Sequence, residues 1–221
     1  MELDFSPVWD AWRFLLGGVG ITLLLSATAA LASAAAGVVV AMARLYGPIW
    51  LRVPVVFYID SMRAIPVLVV LIWTYFALPL LTGIGLPPFY SALLALTLHL
   101  SAYVAEAVRA GIEGVRPGQT RAGLALGMSP AQNLRVVVLP QAIIRMLPAF
   151  GSILSVTIKD TAIAAVIAVP DLMRRAESVA AESYHPVEVF TVVMGIYFVL
   201  IFPVTRGVDL IYRRVAHLGR S

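Results

Sequence analysis

Cysteine is absent from this 221-residue chain, which excludes disulfide bonds, thiol catalysis and cysteine-ligated metal sites. The three histidines, His99, His185 and His217, lie far apart and form no pair with the spacing of metal ligands. The phosphate-binding pattern GxxxxGK[ST] is also missing, and no paired groups suggest catalysis. We therefore expect a chain that is not an enzyme and that has no metal or cofactor of its own.

Charged residues are scarce as well. They make up 13% of the chain, against about 25% in an average soluble domain, whereas hydrophobic residues reach 61%. This balance indicates an integral membrane protein, with the lipid bilayer as a partner. The net charge of +4 comes from arginines scattered between apolar segments. Because these arginines form no basic patch with aromatic residues, nucleic-acid binding is not expected.

Five apolar segments are long enough to cross a hydrocarbon core of about 30 Å. We predict an all-α membrane protein with a single domain, residues 1–221, and five spans at about residues 14–43, 54–81, 89–110, 136–158 and 189–211. Residues 161–170 are apolar but too short to span, which predicts a re-entrant or interfacial piece. Residues 171–182 alternate apolar and charged positions at helical spacing, which predicts an amphipathic helix on the outer surface.

The arginines decide the predicted orientation. One side of the five spans has Arg44, Arg52, Arg116, Arg121, Arg135, Arg213, Arg214 and Arg220. The other side has an uncharged turn at residues 82–88 and a loop after Asp160 in which acids outnumber bases. By the positive-inside rule, the N-terminus lies outside and the C-terminus in the cytoplasm. The segment between the third and fourth spans, residues 116–141, is then cytoplasmic.

That segment reads RPGQTRAGLALGMSPAQNLRVVVLPQ and contains its own helix stop and helix start. Gly127 can take the positive φ that ends a helix. Ser129 as N-cap, Pro130 in the first turn and Gln132 as capping-box partner then begin another helix. The sequence predicts a folded helix–turn–helix, which from its shape alone is either an ordinary connector or a surface held by another protein.

The spacing in this segment resembles the EAA loop of ABC-importer permeases. The family pattern is EAA, three residues, Gly, nine residues, Ile, one residue and Leu-Pro; here Arg121-Ala122-Gly123, Gly127, Val137 and Leu139-Pro140 have the same spacing. The stretches RAIPVLVVL (63–71), AYVAEAVRAGI (102–112) and KDTAIAAVI (159–167) resemble the polar amino-acid permeases in particular, the histidine, glutamine and glutamate/aspartate permease family. The chain departs from the pattern at Arg121, where the family has Glu, and at Gly123, where it has Ala.

The resemblance implies the transmembrane permease subunit of an ATP-driven importer in a bacterial inner membrane. The implied partners are two ATP-binding subunits, which hold ATP and magnesium, a second permease subunit and an extracytoplasmic amino-acid-binding protein. Glutamate or aspartate is the first expectation for the substrate, and glutamine, a basic or another polar amino acid is the alternative. A secondary transporter driven by an ion gradient is the alternative from another class.

The resemblance also implies which residues couple the chain to the ATPase. A short helix over residues 118–126 would seat in a groove of that subunit and transmit its movement to the third and fourth spans. The implied coupling residues are Gly118, Gln119, Arg121, Ala122, Gly123, Ala125, Leu126, Gly127, Ser129, Leu139 and Pro140.

Ionisable residues inside predicted spans are candidates for the substrate pathway, because charge is costly within a bilayer. Lys159 would face a substrate carboxylate and Asp160 its ammonium group, at the point where a span ends. Arg63 and Glu106 are the other charged candidates, and Tyr103, Ser155 and Thr161 are candidates to line the pathway. Structural roles are the alternatives: mutual pairing of Lys159 and Asp160, an Arg63 that reaches the interface, and an ion pair of Glu106 with Arg109 that fixes the third span.

Overall fold

The computed structural model describes residues 3–216, and every regular element in that range is helical. The α-helices are α1 (Ser6–Asp10), α2 (Trp12–Tyr46), α3 (Ile49–Ala64), α4 (Val67–Ile72), α5 (Leu78–Thr82), α6 (Pro88–Glu113), α7 (Pro117–Ala125), α8 (Pro130–Asn133), α9 (Leu139–Asp160), α10 (Leu172–Ser183) and α11 (Pro186–Val215). Two π-helical turns, Trp73–Ala77 and Leu134–Val138, and a 3₁₀ helix, Thr161–Ile167, join neighbouring helices. The predicted domain limits 1 and 221, and Arg220 of the orientation argument, lie outside the described residues.

The helix α6 is the centre of the fold, and α2 packs closely along it. In α6, 61% of the most apolar stretch is buried inside the chain, against 17% in α11. The stripe of small buried residues on α2 lets the two backbones approach, since small side chains permit close helix packing in membranes. A Cβ on Gly37 would stand 2.7 Å from the Ser101 carbonyl oxygen of α6. Glycine is therefore required at that crossing.

The second predicted span is a broken helix. The chain bends by 109° between the helical stretches Ile49–Ala64 and Val67–Thr82. Pro66 has no N–H for the Met62 carbonyl and disfavours helical backbone at the preceding Ile65, which takes φ −86° and ψ 132°. Within residues 3–216, four helices are long and apolar enough to cross a membrane, or five if the bent pair counts as one span.

The fourth candidate span is longer than predicted. It runs over Pro130–Ile167 and joins α8, a π-turn, α9 and the 3₁₀ helix. We expected the apolar residues 161–170 to form a separate piece. Instead, the 3₁₀ helix over residues 161–167 forms the end of this span, and its residues Thr161, Ala164, Ala165 and Ile167 are buried. The chain then leaves the span at Ala168, where φ is +61°. The separation was wrong because a 3₁₀ helix can continue an α-helix without a break.

The predicted amphipathic helix is α10. Its N-cap is Asp171, whose Oδ1 accepts a hydrogen bond from the Arg174 N–H at 2.9 Å. Its apolar face, which includes Leu172 and Val179, packs in one cluster with residues of α1, α2 and α11. Exposed Arg174 and half-exposed Glu177 lie on the other side of the helix. The amphipathic pattern therefore marks a helix that covers the ends of α2 and α11.

Candidate functional site

The loop between α6 and α9 folds as the sequence predicts. The first helix, expected over residues 118–126, is α7 (Pro117–Ala125), and Gly127 follows with φ +84°. Ser129 Oγ accepts from the Gln132 N–H at 3.2 Å, and Gln132 Oε1 accepts from the Ser129 N–H at 2.9 Å. This reciprocal capping box fixes the angle at which α8 leaves the turn. The loop is therefore a folded helix–turn–helix, as predicted.

Most of the expected coupling residues lie on the outer surface of this loop. Gly118, Arg121, Ala122, Ala125, Leu126, Gly127, Ser129 and Pro140 are exposed, while Gln119 and Leu139 are half-buried. Leu126 is 80% exposed and Leu124, which we did not select, is 44% exposed. Gly123 is the exception, since it is buried against α8. The loop therefore has an outer surface of small and apolar residues, typical of a helix that another protein covers.

A charged cluster lies where α2, α3 and α6 meet, and its centre is the Glu106 carboxylate. Arg44 Nη1 donates to Glu106 Oε2 at 2.7 Å, and Arg63 Nη1 lies 4.0 Å from the same oxygen. Arg109 pairs with the other oxygen and also with Glu113. The expected ion pair of Glu106 and Arg109 is confirmed. Arg44 was missed because its position at the end of a charge-free run does not show which helix it faces.

Tyr103 extends this cluster towards the bend between α3 and α4. The Arg63 guanidinium lies over the Tyr103 ring, 5.8 Å from its centre, and the Tyr103 hydroxyl donates to the Arg63 carbonyl at 3.4 Å. The ring of buried His99 packs 5.2 Å from that of Tyr103. The structure therefore brings together three of the expected pathway residues, Arg63, Tyr103 and Glu106. Their contacts with one another give each of them a structural role.

Two further expected residues, Ser155 and Lys159, line a cleft between α9 and α11. The cleft has a volume of about 370 Å³, and its polar lining residues also include Ser152, Thr205 and Asp209. The hydroxyls of Ser155 and Thr205 lie 3.3 Å apart. Lys159 forms no hydrogen bond or salt bridge with a described residue and also borders a neighbouring cleft on α11. A polar cleft with an unpaired ammonium group can accept a carboxylate.

The remaining expected residues do not line that cleft. Thr161 is fully buried, and its hydroxyl donates to the Ile158 carbonyl at 2.8 Å. Asp160 is half-buried, and within residues 3–216 no salt bridge joins it to Lys159. Asp209 was missed although it is an acid inside the predicted fifth span, the same criterion that selected Glu106. Thr205 carries no sequence signal that separates it from other span threonines.

Comparison with known proteins shows the family of this chain. Residues 14–217 match the family described as the inner membrane component of binding-protein-dependent transport systems. The chain is 32% identical to the glutamine transport system permease protein GlnP of Escherichia coli K12, covering 90% of this chain and 92% of that protein. It is 35% identical to the arginine transport system permease protein ArtQ of Bacillus subtilis (93% and 94%). The glutamate/aspartate import permease protein GltK of Escherichia coli O6:H1 is 32% identical (97% and 99%).

A solved structure has the same fold. The chain superposes on a crystal structure of an amino acid ABC transporter with histidines with a TM-score of 0.91, at 33% identity, covering 97% of this chain and 100% of that one. Family, relatives and fold agree with the apolar helices, and they place the chain in the bacterial inner membrane. This chain belongs to the binding-protein-dependent transport family, as a permease of the ABC-type polar amino-acid importers.

Proposed function

We propose that this chain, as one domain over residues 1–221, is the membrane-spanning subunit of an ATP-driven importer for a polar or charged amino acid. The bent pair α3–α5 counts as one span, which makes five. The N-terminus faces outward and the C-terminus the cytoplasm, as the arginine distribution favours. The chain itself is not catalytic: two partner ATPases bind ATP and magnesium and hydrolyse the ATP.

The observation that carries the proposal is the outer surface of the α7 loop. Leu124 and Leu126 are exposed beside alanines and glycines on a turn that a capping box holds rigid. The free energy falls when a groove of another protein covers such a surface, because apolar side chains are then removed from water. The partner we assign to that groove is the ATPase. When ATP draws two ATPase subunits together, each would move one α7 and, through the π-turn, the start of a fourth span.

The cleft at Lys159 is the part of the pathway that we assign to substrate. Its ammonium group would hold the carboxylate of an amino acid, and the Asp209 carboxylate would hold the ammonium group. Polar side chains that face lipid are costly, so a second permease subunit is expected to cover this side of α9 and α11. The Glu106 cluster, with Arg63 and Tyr103, would lie further along the substrate pathway. Asp160 and Thr161 would form part of the wall of that pathway.

Glutamate or aspartate is the first proposed substrate, because the stretches at residues 63–75 and 121–128 resemble that branch. Glutamine, arginine or another polar amino acid is the alternative, since permeases for these substrates are similar to the chain by about the same margin. The cleft is compatible with each of them, because Lys159 and Asp209 would recognise the groups that all amino acids share. A solute-binding protein on the outer side would make the selection.

The test is uptake by proteoliposomes that contain the permease and its ATPase, with radiolabelled glutamate, aspartate, glutamine or arginine. Candidate solute-binding proteins of the same organism are added in turn on the outer side. We expect uptake that needs enclosed ATP and one binding protein. Uptake by the permease alone on a sodium or proton gradient would instead establish the secondary transporter.

The Lys159 assignment has its own test in the same vesicles. Lys159→Gln removes the ammonium group, so uptake should fall about tenfold or more, because a charged hydrogen bond to the carboxylate is lost. Lys159→Arg keeps the charge and should retain more activity than Lys159→Gln. Equal uptake by Lys159→Gln and the unaltered chain would move the substrate site elsewhere.

A further inference from the structure

Asn133 is buried at the junction of two helices, where an amide side chain is costly. It is the last residue of α8, and 2% of it is exposed. Its Nδ2 donates to the Thr120 carbonyl of α7 at 2.8 Å, across 13 positions of sequence. Its Oδ1 is buried without a hydrogen-bond partner. A buried amide oxygen without a partner costs about 1–3 kcal/mol, so stability alone does not account for this side chain.

Gly123 is what makes room for that amide. A Cβ on Gly123 would overlap Asn133 Oδ1 and stand 2.9 Å from Asn133 Cγ. The contact is with a short, fixed side chain that is already hydrogen-bonded, so an added methyl group would displace the amide and break its bond to Thr120. The departure from the family pattern at Gly123 and the buried Asn133 therefore form one arrangement.

This arrangement connects the part of the chain that moves with the part that must respond. Thr120 and Gly123 belong to α7, whose outer surface is the proposed contact with the ATPase. Asn133 is followed directly by the π-turn Leu134–Val138 and then by α9. The Asn133–Thr120 hydrogen bond is therefore a direct tie between α7 and the start of the fourth span, in addition to the backbone turn at Gly127.

Resting on the proposed function, we infer that Asn133 is a positioning residue that makes α7 and the start of the fourth span move as one body, and that Gly123 admits it. Without the tie, α7 can pivot about the Gly127 turn, where a Cβ would meet nothing within 4 Å. ATP hydrolysis would then continue while less of its movement reaches the span. The signature is a loss of coupling, not a loss of ATPase activity.

The experiment measures ATP hydrolysed per amino acid transported by the complete importer in proteoliposomes. For Asn133→Ala and for Gly123→Ala we expect this ratio to rise about fivefold, since each loses the buried hydrogen bond. The double variant Gly123→Ala/Asn133→Ala should raise the ratio no further than either single variant, because both substitutions remove the same hydrogen bond. Gly195→Ala on α11 is the matched control, since a Cβ there meets nothing within 4 Å.

Unchanged ratios in both single variants would overturn the inference. If a variant fails to assemble with the ATPase, a distance measurement on the permease without the ATPase tests the inference. Because the chain has no cysteine, spin labels can be placed at Ala125→Cys and Val136→Cys only, on either side of the tie. Asn133→Ala should broaden the distance distribution between them, and an unchanged distribution would overturn the inference. An unaltered importer that shows no ATP-dependent uptake would refute the proposed function instead.

Discussion

Glu106 on α6 accepts a hydrogen bond from Arg44 on α2 at 2.7 Å, across 62 positions of sequence. The same carboxylate faces Arg63 of α3 and pairs with Arg109 of its own helix. One acidic side chain thus offsets three cations from three helices. Removing it would leave Arg44 and Arg63 without the carboxylate that they face, and Arg109 with Glu113 alone.

Glu106→Gln should therefore destabilise the permease more than a single lost surface ion pair would. We expect a loss of about 2 kcal/mol, because Arg44 and Arg109 are partly buried and the three arginines would repel one another. Glu113→Gln is the matched control, since Glu113 pairs with Arg109 at a more exposed position. The control should lose less than about 1 kcal/mol. Thermal unfolding in detergent measures both losses. Equal losses would show that Glu106 does not stabilise the three arginines together.

The crossing of α2 and α6 yields a second prediction. Gly37→Ala should destabilise the fold by about 1–3 kcal/mol, since its methyl group would meet the Val104 side chain and the Ser101 carbonyl. Gly20→Ala, on the same helix, meets nothing within 4 Å and should be neutral or stabilising. Unfolding of both variants in one detergent checks the pair, and an equally destabilised Gly20→Ala would show that the loss at Gly37 does not come from the crossing.

Features that depend on neighbours in sequence could be predicted from it. The Gly127 turn, the Ser129–Gln132 capping box and the apolar face of α10 each involve residues three or four positions apart. The bend at Pro66 could not be predicted, because a proline inside an apolar segment is compatible with a tolerated kink as well as with a break. Only the packing of both halves against α6 settles which of the two occurs.

Buried Asp171 predicts a pH dependence of stability. Burial raises the pKa of this carboxyl from 3.8 to about 6, against the opposing effect of the Arg174 N–H. Between these two values the folded state binds more protons than the unfolded state, so stability falls as pH rises from about 4 to about 6 and is level above that.

Asp171→Asn should remove this contribution, because asparagine caps a helix equally well and carries no charge. The variant should be more stable than the unaltered chain at pH 7.5, by at most about 3 kcal/mol, and the difference should shrink towards pH 4. Other carboxyl groups titrate alike in both proteins, so the difference in unfolding temperature across pH isolates Asp171. A difference that does not change with pH would contradict the prediction.

Tyr184 occupies a backbone conformation that suits glycine. It closes α10 at φ +61°, and its side chain is 88% exposed, so the ring contributes little burial. Tyr184→Gly should raise the free energy of unfolding by about 0.5–1 kcal/mol. The substitution relieves the strain of the left-handed backbone, and this gain exceeds the entropy that glycine adds to the unfolded state. Tyr184→Ala keeps the strain and should not gain. If both variants gain equally, the ring rather than the backbone is the source.

The charged and polar sites show a further limit of sequence reasoning. Glu106 was identifiable as an unusual charge within a span, but its three partners come from helices whose mutual rotation the sequence does not specify. The cleft was half predicted, since Ser155 and Lys159 share one face of α9, whereas Thr205 and Asp209 are brought to it by α11. Asn133 looked like any polar residue near a cap, and only the approach of Gly123 distinguishes it.

The length of α2 has a consequence for the bilayer itself. Its 35 residues extend over about 52 Å, while the hydrocarbon layer is about 30 Å thick. Its charge-free run, residues 14–43, alone covers about 45 Å, so the helix cannot stand upright without leaving apolar turns in water. It must lean, and the degree of lean can follow the thickness of the surrounding membrane. The helix that packs along the centre of the fold is thus long enough to span a thicker bilayer by tilting less.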